Sequence, residues 1–396
     1  MSELTSRKIF VTIILLGVLA MLGPVGHDIF IPSIPNIAEG LNTTTNQVSM
    51  SISAIFLGNA IGTLFHGPLA DRFGRKIIIL WVLGIYAITA LVGALSPNVE
   101  TLIMFRFFQG LALSGGRVLS ATVARDLFEK EKLGKVMSDI MFITAISAVI
   151  APLIGGYTAK YLPWQSSLLF MAIFAGLVFL LFLTVFKEPS KSERKKNLKL
   201  SVLLRDLITI TSNRSFLLYS LTGGLMLAGL IVFLSISANI IIGSYGFDPN
   251  IYGFMFASVS LVFLFGTFVG GRLVTKLGLN RMIKWGVLFG VLGGGLMLLL
   301  ALLELRTPYA IILPMWVFIF GLAFVNPNSV ASALQPFPGI AGSASSITNF
   351  IRGIFGAAVS FGISFFNHDD ALVLATTIFI LCCLATLSIC TKTYKQ

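Results

Sequence analysis

The amino-acid sequence predicts an all-α membrane protein with about twelve spanning helices. Its 396 residues are 56% hydrophobic and only 11% charged, whereas soluble globular domains carry roughly 25% charged residues. A soluble fold cannot hide so much apolar surface from water, so lipid is the expected solvent. A spanning helix needs roughly 20 apolar residues, and with short loops the chain holds about twelve of them.

Apolar runs separated by turn residues or charges define the individual spans. These runs are too long and too uniformly apolar for barrel strands, which are about ten residues of alternating polarity. Helices are therefore the expected spanning elements. The predicted spans are 8–32, 46–66, 76–96, 100–122, 135–159, 164–187, 214–243, 251–274, 282–303, 309–332, 341–366 and 371–391.

The basic residues predict how these spans are oriented, because cytoplasmic loops carry an excess of Lys and Arg. Of the 28 basic residues, Lys160 and Arg306 fall in the loops on one side, three fall inside spans, and the rest lie on the other side. Both chain ends share the basic side, and we therefore expect them in the cytoplasm. The net charge of +12 then reflects membrane topology, which removes the main reason to expect a nucleic-acid partner.

The longest polar segment predicts a division into two domains. We expect a six-helix bundle over 1–187, a cytoplasmic linker over 188–213 and a second six-helix bundle over 214–396. Residues 198–210 of the linker are suited to an amphipathic helix on the membrane surface. Glycines and basic residues recur after the second and eighth spans, which is a weak internal repeat of the kind that paired bundles leave.

Motifs in the first half resemble those of one transporter family. Residues 67–76 (Gly-Pro-Leu-Ala-Asp-Arg-Phe-Gly-Arg-Lys) resemble the loop signature of the major facilitator superfamily. Arg106 to Gly110 resembles its fourth-helix Arg-x-x-Gln-Gly motif, and Pro152 to Gly156 resembles its Pro-x-x-Gly-Gly antiporter motif. Segments 28–35 and 125–128 are similar to the Bcr/CflA (bicyclomycin/chloramphenicol-resistance) group of drug:proton antiporters.

This resemblance implies a major facilitator fold, in which two pseudo-symmetric six-helix bundles rock about a central site. It also implies proton-coupled export of a small amphipathic drug or metabolite by a monomer in the bacterial inner membrane. The proton gradient would supply the energy, without a cofactor, a metal or an enzymatic reaction. A phosphate-binding Gly-x-x-x-x-Gly-Lys-Ser/Thr sequence is absent, which argues against ATP. Export of an endogenous siderophore, import of a metabolite, and a membrane receptor without flux remain alternatives.

Ionisable residues inside the spans are the first candidates for function, because such a charge costs roughly 2.5–3.5 kcal/mol at a helix centre. Asp28, beside His27, is predicted to exchange protons or bind a cation, and the alternative is a hydrogen bond to backbone near the outer mouth. The resemblance links Arg106 with proton transfer. It could hold Asp28 ionised, or it could pair with Glu100. Arg352 is either a site for a substrate anion or a structural anchor.

Other charged and apolar residues have weaker assignments. Arg117 and Asp139 are interpreted as a gate or an interhelical pair. In span ten, Asn326 and Asn328 put amides at membrane depth, where they line the pathway or only accompany a bend. The phenylalanines named as candidates to line an apolar cavity are Phe30, Phe56 and Phe233.

The two remaining motifs are assigned to conformational change. The resemblance implies that the loop after span two is a latch, and the alternative is simple anchoring by its positive charges. The latch residues are Gly67, Asp71, Arg72, Gly74, Arg75 and Lys76. Pro152 is expected to bend span five, and Gly155 and Gly156 to let a neighbouring helix approach closely.

Overall fold

The first span is a helix that breaks near its middle. The structure, a computed structural model, describes residues 6–188, 207–366 and 370–393, and the regular elements in these ranges are helical. We number the spanning helices in chain order. The first set is α1 (Ser6–Ala20, Leu22–Asp28 and Ile34–Gly40), α2 (Thr45–Phe73), α3 (Arg75–Ala94), α4 (Val99–Leu127), α5 (Lys130–Tyr161) and α6 (Gln165–Thr184). The second set is α7 (Arg214–Ala238, continued by a π-helical turn over Asn239–Ser244), α8 (Pro249–Leu277), α9 (Leu279–Leu302), α10 (Tyr309–Leu334), α11 (Ala341–Ile363) and α12 (Ala371–Thr393).

The break in α1 follows from its prolines. Pro32 lies in a 3₁₀ turn over Ile31–Ser33, and Pro35 lies in the first turn of the next helical segment. Proline lacks the backbone N–H that a helix interior needs, but it is tolerated in a first turn. The span therefore continues to Gly40, and the prediction that it ends at residue 32 is too short. Asp28 lies at the end of the segment before the break.

Eleven helices in the described ranges are long and apolar enough to cross a membrane. The remaining numbered helix, α4, falls outside that group because its 29 residues include Arg106, Gln109 and Arg117. It nevertheless packs tightly against α2, since a Cβ atom added to Gly110 would lie 2.1 Å from the Ile55 carbonyl oxygen. Because Arg106 and Gln109 are buried, the polarity of α4 is turned toward the protein and away from lipid.

The bundle has two ends that differ in charge. We call the end formed by residues 73–75 and 127–130 the basic end, because Arg72, Arg75 and Lys76 surround the first of these turns. The opposite end, formed by residues 40–45 and 161–165, is called the far end. Adjacent helices run between these two ends in alternating directions, as expected from the short connections.

The two sets of helices are joined near the far end. Helix α5 packs against α8, and α2 packs against α11. The Ser49 hydroxyl donates to the Ser235 carbonyl oxygen at 2.7 Å, and the Ser53 and Ser360 hydroxyls are 2.7 Å apart. At the surface, Lys160 Nζ lies 2.7 Å from Asp248 Oδ2. These contacts close the far end of the space between the two sets.

The predicted linker is only partly described. Residues 207–211 are helical, whereas 189–206, with most of the predicted amphipathic helix over 198–210, lie outside the described residues. Helices α1 to α6 precede this segment and α7 to α12 follow it. The domain boundaries 1–187, 188–213 and 214–396 stay a prediction.

Candidate functional site

A buried carboxylate lies where α1 approaches the second set of helices. Asp28 is 4% exposed, and its Oδ1 lies 2.6 Å from the His27 Nδ1. The two side chains are therefore within hydrogen-bond distance of each other. The turn over Ile31–Ser33, which follows Asp28, packs against α7 and α8. Asp28 is thus buried close to helices of the second set, whereas His27 keeps part of its surface exposed.

The three phenylalanines predicted to line a cavity differ in their exposure. The His27 ring stacks on Phe56 of α2, with ring centroids 5.5 Å apart. Phe30 and Phe233 are fully buried, and Phe233 packs edge-on against Phe256. Phe56 is partly exposed. Of the three phenylalanines predicted to line a cavity, Phe56 therefore offers surface to a ligand, and the other two contribute to packing.

Arg106 is held by neutral groups. Its Nη1 donates to the Gly26 carbonyl oxygen at 2.8 Å and to Gln109 Oε1 at 2.7 Å. The guanidinium lies over the Phe30 ring, 4.2 Å from the centroid, and the residue is 1% exposed. Neither Asp28 nor Glu100 forms an ion pair with Arg106 in this conformation. That Arg106 holds Asp28 ionised stays a prediction, and in this structure its side chain bonds to the backbone of α1 at Gly26, two residues before Asp28.

Two adjacent glycines connect Asp28 to the second set of helices. A Cβ atom added to Gly155 would lie 2.6 Å from the Ile29 carbonyl oxygen, and one added to Gly156 would lie 2.6 Å from the Pro249 carbonyl oxygen. Such distances are far below an ordinary contact of about 3.5 Å. The predicted close approach is present, and α5 touches α1 directly after Asp28 and α8 at its first turn.

A second buried arginine lies on α11. Arg352 is 3% exposed, and its Nη2 donates to Asn326 Oδ1 of α10. Its Nε has no hydrogen-bond partner and packs against Gly223 of α7, where an added Cβ would lie 3.0 Å away. Of the two amides predicted at depth, Asn326 reaches this charge, whereas Asn328 donates back to the Phe324 carbonyl oxygen of its own helix.

Two of the six predicted latch residues, Asp71 and Arg75, form an ion-pair network at the basic end. Arg75 Nη2 lies 2.6 Å from Asp71 Oδ1, and Arg75 Nε lies 2.8 Å from Asp126 Oδ2 of α4. Arg72 lies over the Phe73 ring, with its guanidinium carbon 5.1 Å from the centroid. Lys76 Nζ donates to the Leu183 carbonyl oxygen at 2.9 Å. Arg75, which is buried, links α2, α3 and α4.

The sequence interpretation missed Glu188, which caps α3 from beyond the end of α6. Its two carboxylate oxygens accept the backbone N–H groups of Arg75 and Lys76, both at 2.7 Å. Gly74 has φ +101°, a conformation that favours glycine, and it aims these amides at the carboxylate. An added Cβ at Gly67 meets no atom within 4 Å. An acidic residue beside a basic loop was the available signal for Glu188.

The sequence as a whole is similar to known transporters. A model of the Major Facilitator Superfamily matches residues 14–361. The chain is 32% identical over 372 residues to a bicyclomycin resistance protein homolog of Haemophilus influenzae, with 92% of each chain covered. It is 26% identical over 345 residues to multidrug resistance protein D of Escherichia coli, covering 86% of this chain and 85% of that protein.

The structure as a whole is similar to solved transporters. The crystal structure of a D-xylose-proton symporter superposes with a TM-score of 0.77 at 16% identity, covering 95% of this chain and 97% of the symporter. The partially occluded inward-open xylose transporter of Escherichia coli gives a TM-score of 0.75, with 98% of each chain covered. At this identity the likeness establishes the fold alone.

Proposed function

The chain belongs to the Major Facilitator Superfamily, and from this premise we propose that it exports a small, partly apolar molecule in exchange for protons. Membership makes it an integral membrane transporter of small molecules and not an enzyme. The relatives in Haemophilus influenzae and Escherichia coli bear drug-resistance names, which supports export as the direction. The proton gradient is the proposed source of energy.

The observation that carries the proposal is the burial of Asp28 beside His27. A carboxylate that is 4% exposed is costly as an anion in low dielectric, and protonation removes that charge. A proton therefore changes the relative free energies of conformations that bury or hydrate this side chain. Such a difference is what coupling between proton movement and conformation requires.

The packing of α5 supports a route from that charge to the second set of helices. Ile29, next to Asp28, touches Gly155, and the adjacent Gly156 touches α8. Both contacts are close approaches to backbone atoms. A displacement of α1 at Asp28 is therefore expected to move α5, and through α5 also α8. In the proposed cycle, a proton that Asp28 takes up from the far side stabilises the far-end-closed conformation, which buries this side chain. Release of that proton to the cytoplasm lets the far end open again with substrate bound.

Orientation is also part of the proposal. The basic end faces the cytoplasm, since Lys and Arg concentrate in cytoplasmic loops, and the bacterial relatives point to the inner membrane. Since Ser49, Ser53 and their partners join the two sets near the far end, we assign this conformation a central space that opens toward the cytoplasm. One chain suffices, because both sets of six helices lie in it.

Reconstitution in vesicles with an imposed pH gradient tests this function. A panel of cationic, neutral and anionic aromatic compounds is screened by the pH change that each transported compound causes. Asp28→Asn should lose pH-driven transport while its expression and thermal unfolding stay those of the wild type. Glu304→Gln, at an exposed position, is the matched control and should transport normally. Normal proton-coupled transport by Asp28→Asn would refute the role of Asp28.

A further inference from the structure

Besides Arg106, two arginines deep in spanning helices have no carboxylate partner among the described residues. Arg117 lies ten residues before the end of α4 at Leu127, or about 15 Å along the axis. Arg352 lies eleven residues after the start of α11 at Ala341, or about 17 Å. Since the hydrocarbon core is about 30 Å thick, both lie well inside their spanning helices.

Arg352 is buried with most of its hydrogen-bonding capacity unused. Asn326 accepts one of its N–H groups, and its Nε has no partner. Among the described residues no carboxylate lies within ion-pair distance of it. A guanidinium stays charged under all ordinary conditions, so burial without a counter-charge is costly. An anchoring role would be served by a neutral side chain at lower cost.

Arg117 lines an internal space. Protein atoms lie densely around it, yet its side chain is accessible to solvent. This combination is that of a residue facing a cavity inside the bundle. The predicted pairing with Asp139 is not formed in the part of the chain that the structure describes. Arg117 is therefore a cation in a cavity, where its N–H groups can donate to a bound molecule.

The two charges act on each other across the halves of the molecule. The positive charge of Arg117, on α4, repels that of Arg352, on α11. Like charges brought together in low dielectric destabilise a protein unless an opposite charge joins them. The arrangement is the one expected of a site that is completed by an anion from solution.

We propose that Arg117 and Arg352 bind an anionic oxygen group, a carboxylate, sulfonate or phosphate, on the molecule that the protein transports. This inference rests on the proposed transport function and narrows its substrate to partly apolar anions or zwitterions. The planar guanidinium matches such groups with two parallel hydrogen bonds. Because the arginines belong to different sets of helices, one anion bridges the sets and replaces their mutual repulsion by attraction to a shared partner.

A matched pair of probes tests the site, 1-naphthalenesulfonate and the uncharged 1-naphthalenesulfonamide. Binding to the purified full chain in phosphatidylcholine nanodiscs is measured by calorimetry without a pH gradient. The wild type should bind the sulfonate about tenfold or more tightly than the sulfonamide, as expected for a charged hydrogen-bonded pair. Arg117→Gln and Arg352→Gln should each remove this preference. The exposed Arg306→Gln changes the net charge equally and should retain it.

Several results would overturn the proposal. One is equal binding of the two probes by the wild type, and another is an unchanged preference in Arg117→Gln. Arg117 is exposed in the cavity, so its variant remains informative if Arg352→Gln fails to fold. Arg352→Lys, which keeps the charge but loses the planar fork, should reduce the preference only partly. The site would also be refuted if the two single variants, Arg352→Lys and Arg117→Gln, both kept the full preference for the sulfonate.

Two further comparisons distinguish this proposal from binding of a lipid headgroup and from failure of the transport hypothesis. With salt screening the disc surface, phosphatidylglycerol should leave sulfonate binding unchanged, whereas loss of binding would assign the arginines to a lipid headgroup and overturn the proposal. Failure of the transport hypothesis is distinguishable. Asp28→Asn with normal pH-driven flux refutes proton coupling and leaves the charge preference intact, and a missing preference refutes the anion site and leaves the flux result intact.

Discussion

Gly156→Ala should weaken the closure of the far end. The added Cβ would lie 2.6 Å from the Pro249 carbonyl oxygen, 3.0 Å from the Asn250 Cα and 3.2 Å from the Gly253 Cα. An ordinary contact needs about 3.5 Å, so α8 must withdraw by about 1 Å. All three neighbours are backbone atoms, which cannot rotate away. Overpacking of this kind costs about 1–3 kcal/mol, and it applies to conformations in which α5 and α8 meet.

That cost lowers the ratio of far-end-closed to far-end-open molecules by a factor of about 5 to 150. The assay is the rate of maleimide labelling of a cysteine placed at Ser53, which is buried in the far-end joint. The three native cysteines are first replaced by serine. Labelling from the far side should accelerate by about that factor if the open state is rare. The matched control is Gly271→Ala on α8, where an added Cβ meets nothing within 4 Å. Both changes gain about 1 kcal/mol of helix propensity, so equal labelling rates in the two variants would refute the reasoning.

Two other predictions concern the ends of the bundle. Glu188→Gln replaces a charged cap on the backbone N–H groups of Arg75 and Lys76, and it should destabilise the protein by about 1 kcal/mol; a thermal unfolding midpoint equal to that of Glu304→Gln would contradict the cap. Lys160→Asp should open the far end by setting two carboxylates in contact, and the double variant Lys160→Asp/Asp248→Lys should restore closure, as read from labelling at Ser53. Open labelling rates in the double variant would show that the ion pair does not contribute.

Sequence reasoning was most accurate where the cause is local. The spans and the close approach of the α5 glycines were signalled by hydropathy and small residues. It erred at α1, because prolines ended the predicted span at residue 32 although a 3₁₀ turn carries the helix on to Gly40. It did not predict that Arg75 pairs with Asp126 of α4, or that Arg106 bonds to a carbonyl oxygen 80 residues away in the chain.

What the sequence by itself determined is that this chain crosses lipid about twelve times, with its basic residues gathered on one side. Those properties depend on the composition of each segment and on no other segment. Only the tertiary structure decided that Asp28 lies against His27 and near α8, that Glu188 caps a helix 113 residues earlier, and that Arg117 and Arg352 have no carboxylate beside them among the residues that the structure describes. A hydrogen bond or a missing counter-charge is a property of two surfaces brought together, and the order of residues along one chain does not specify which surfaces meet.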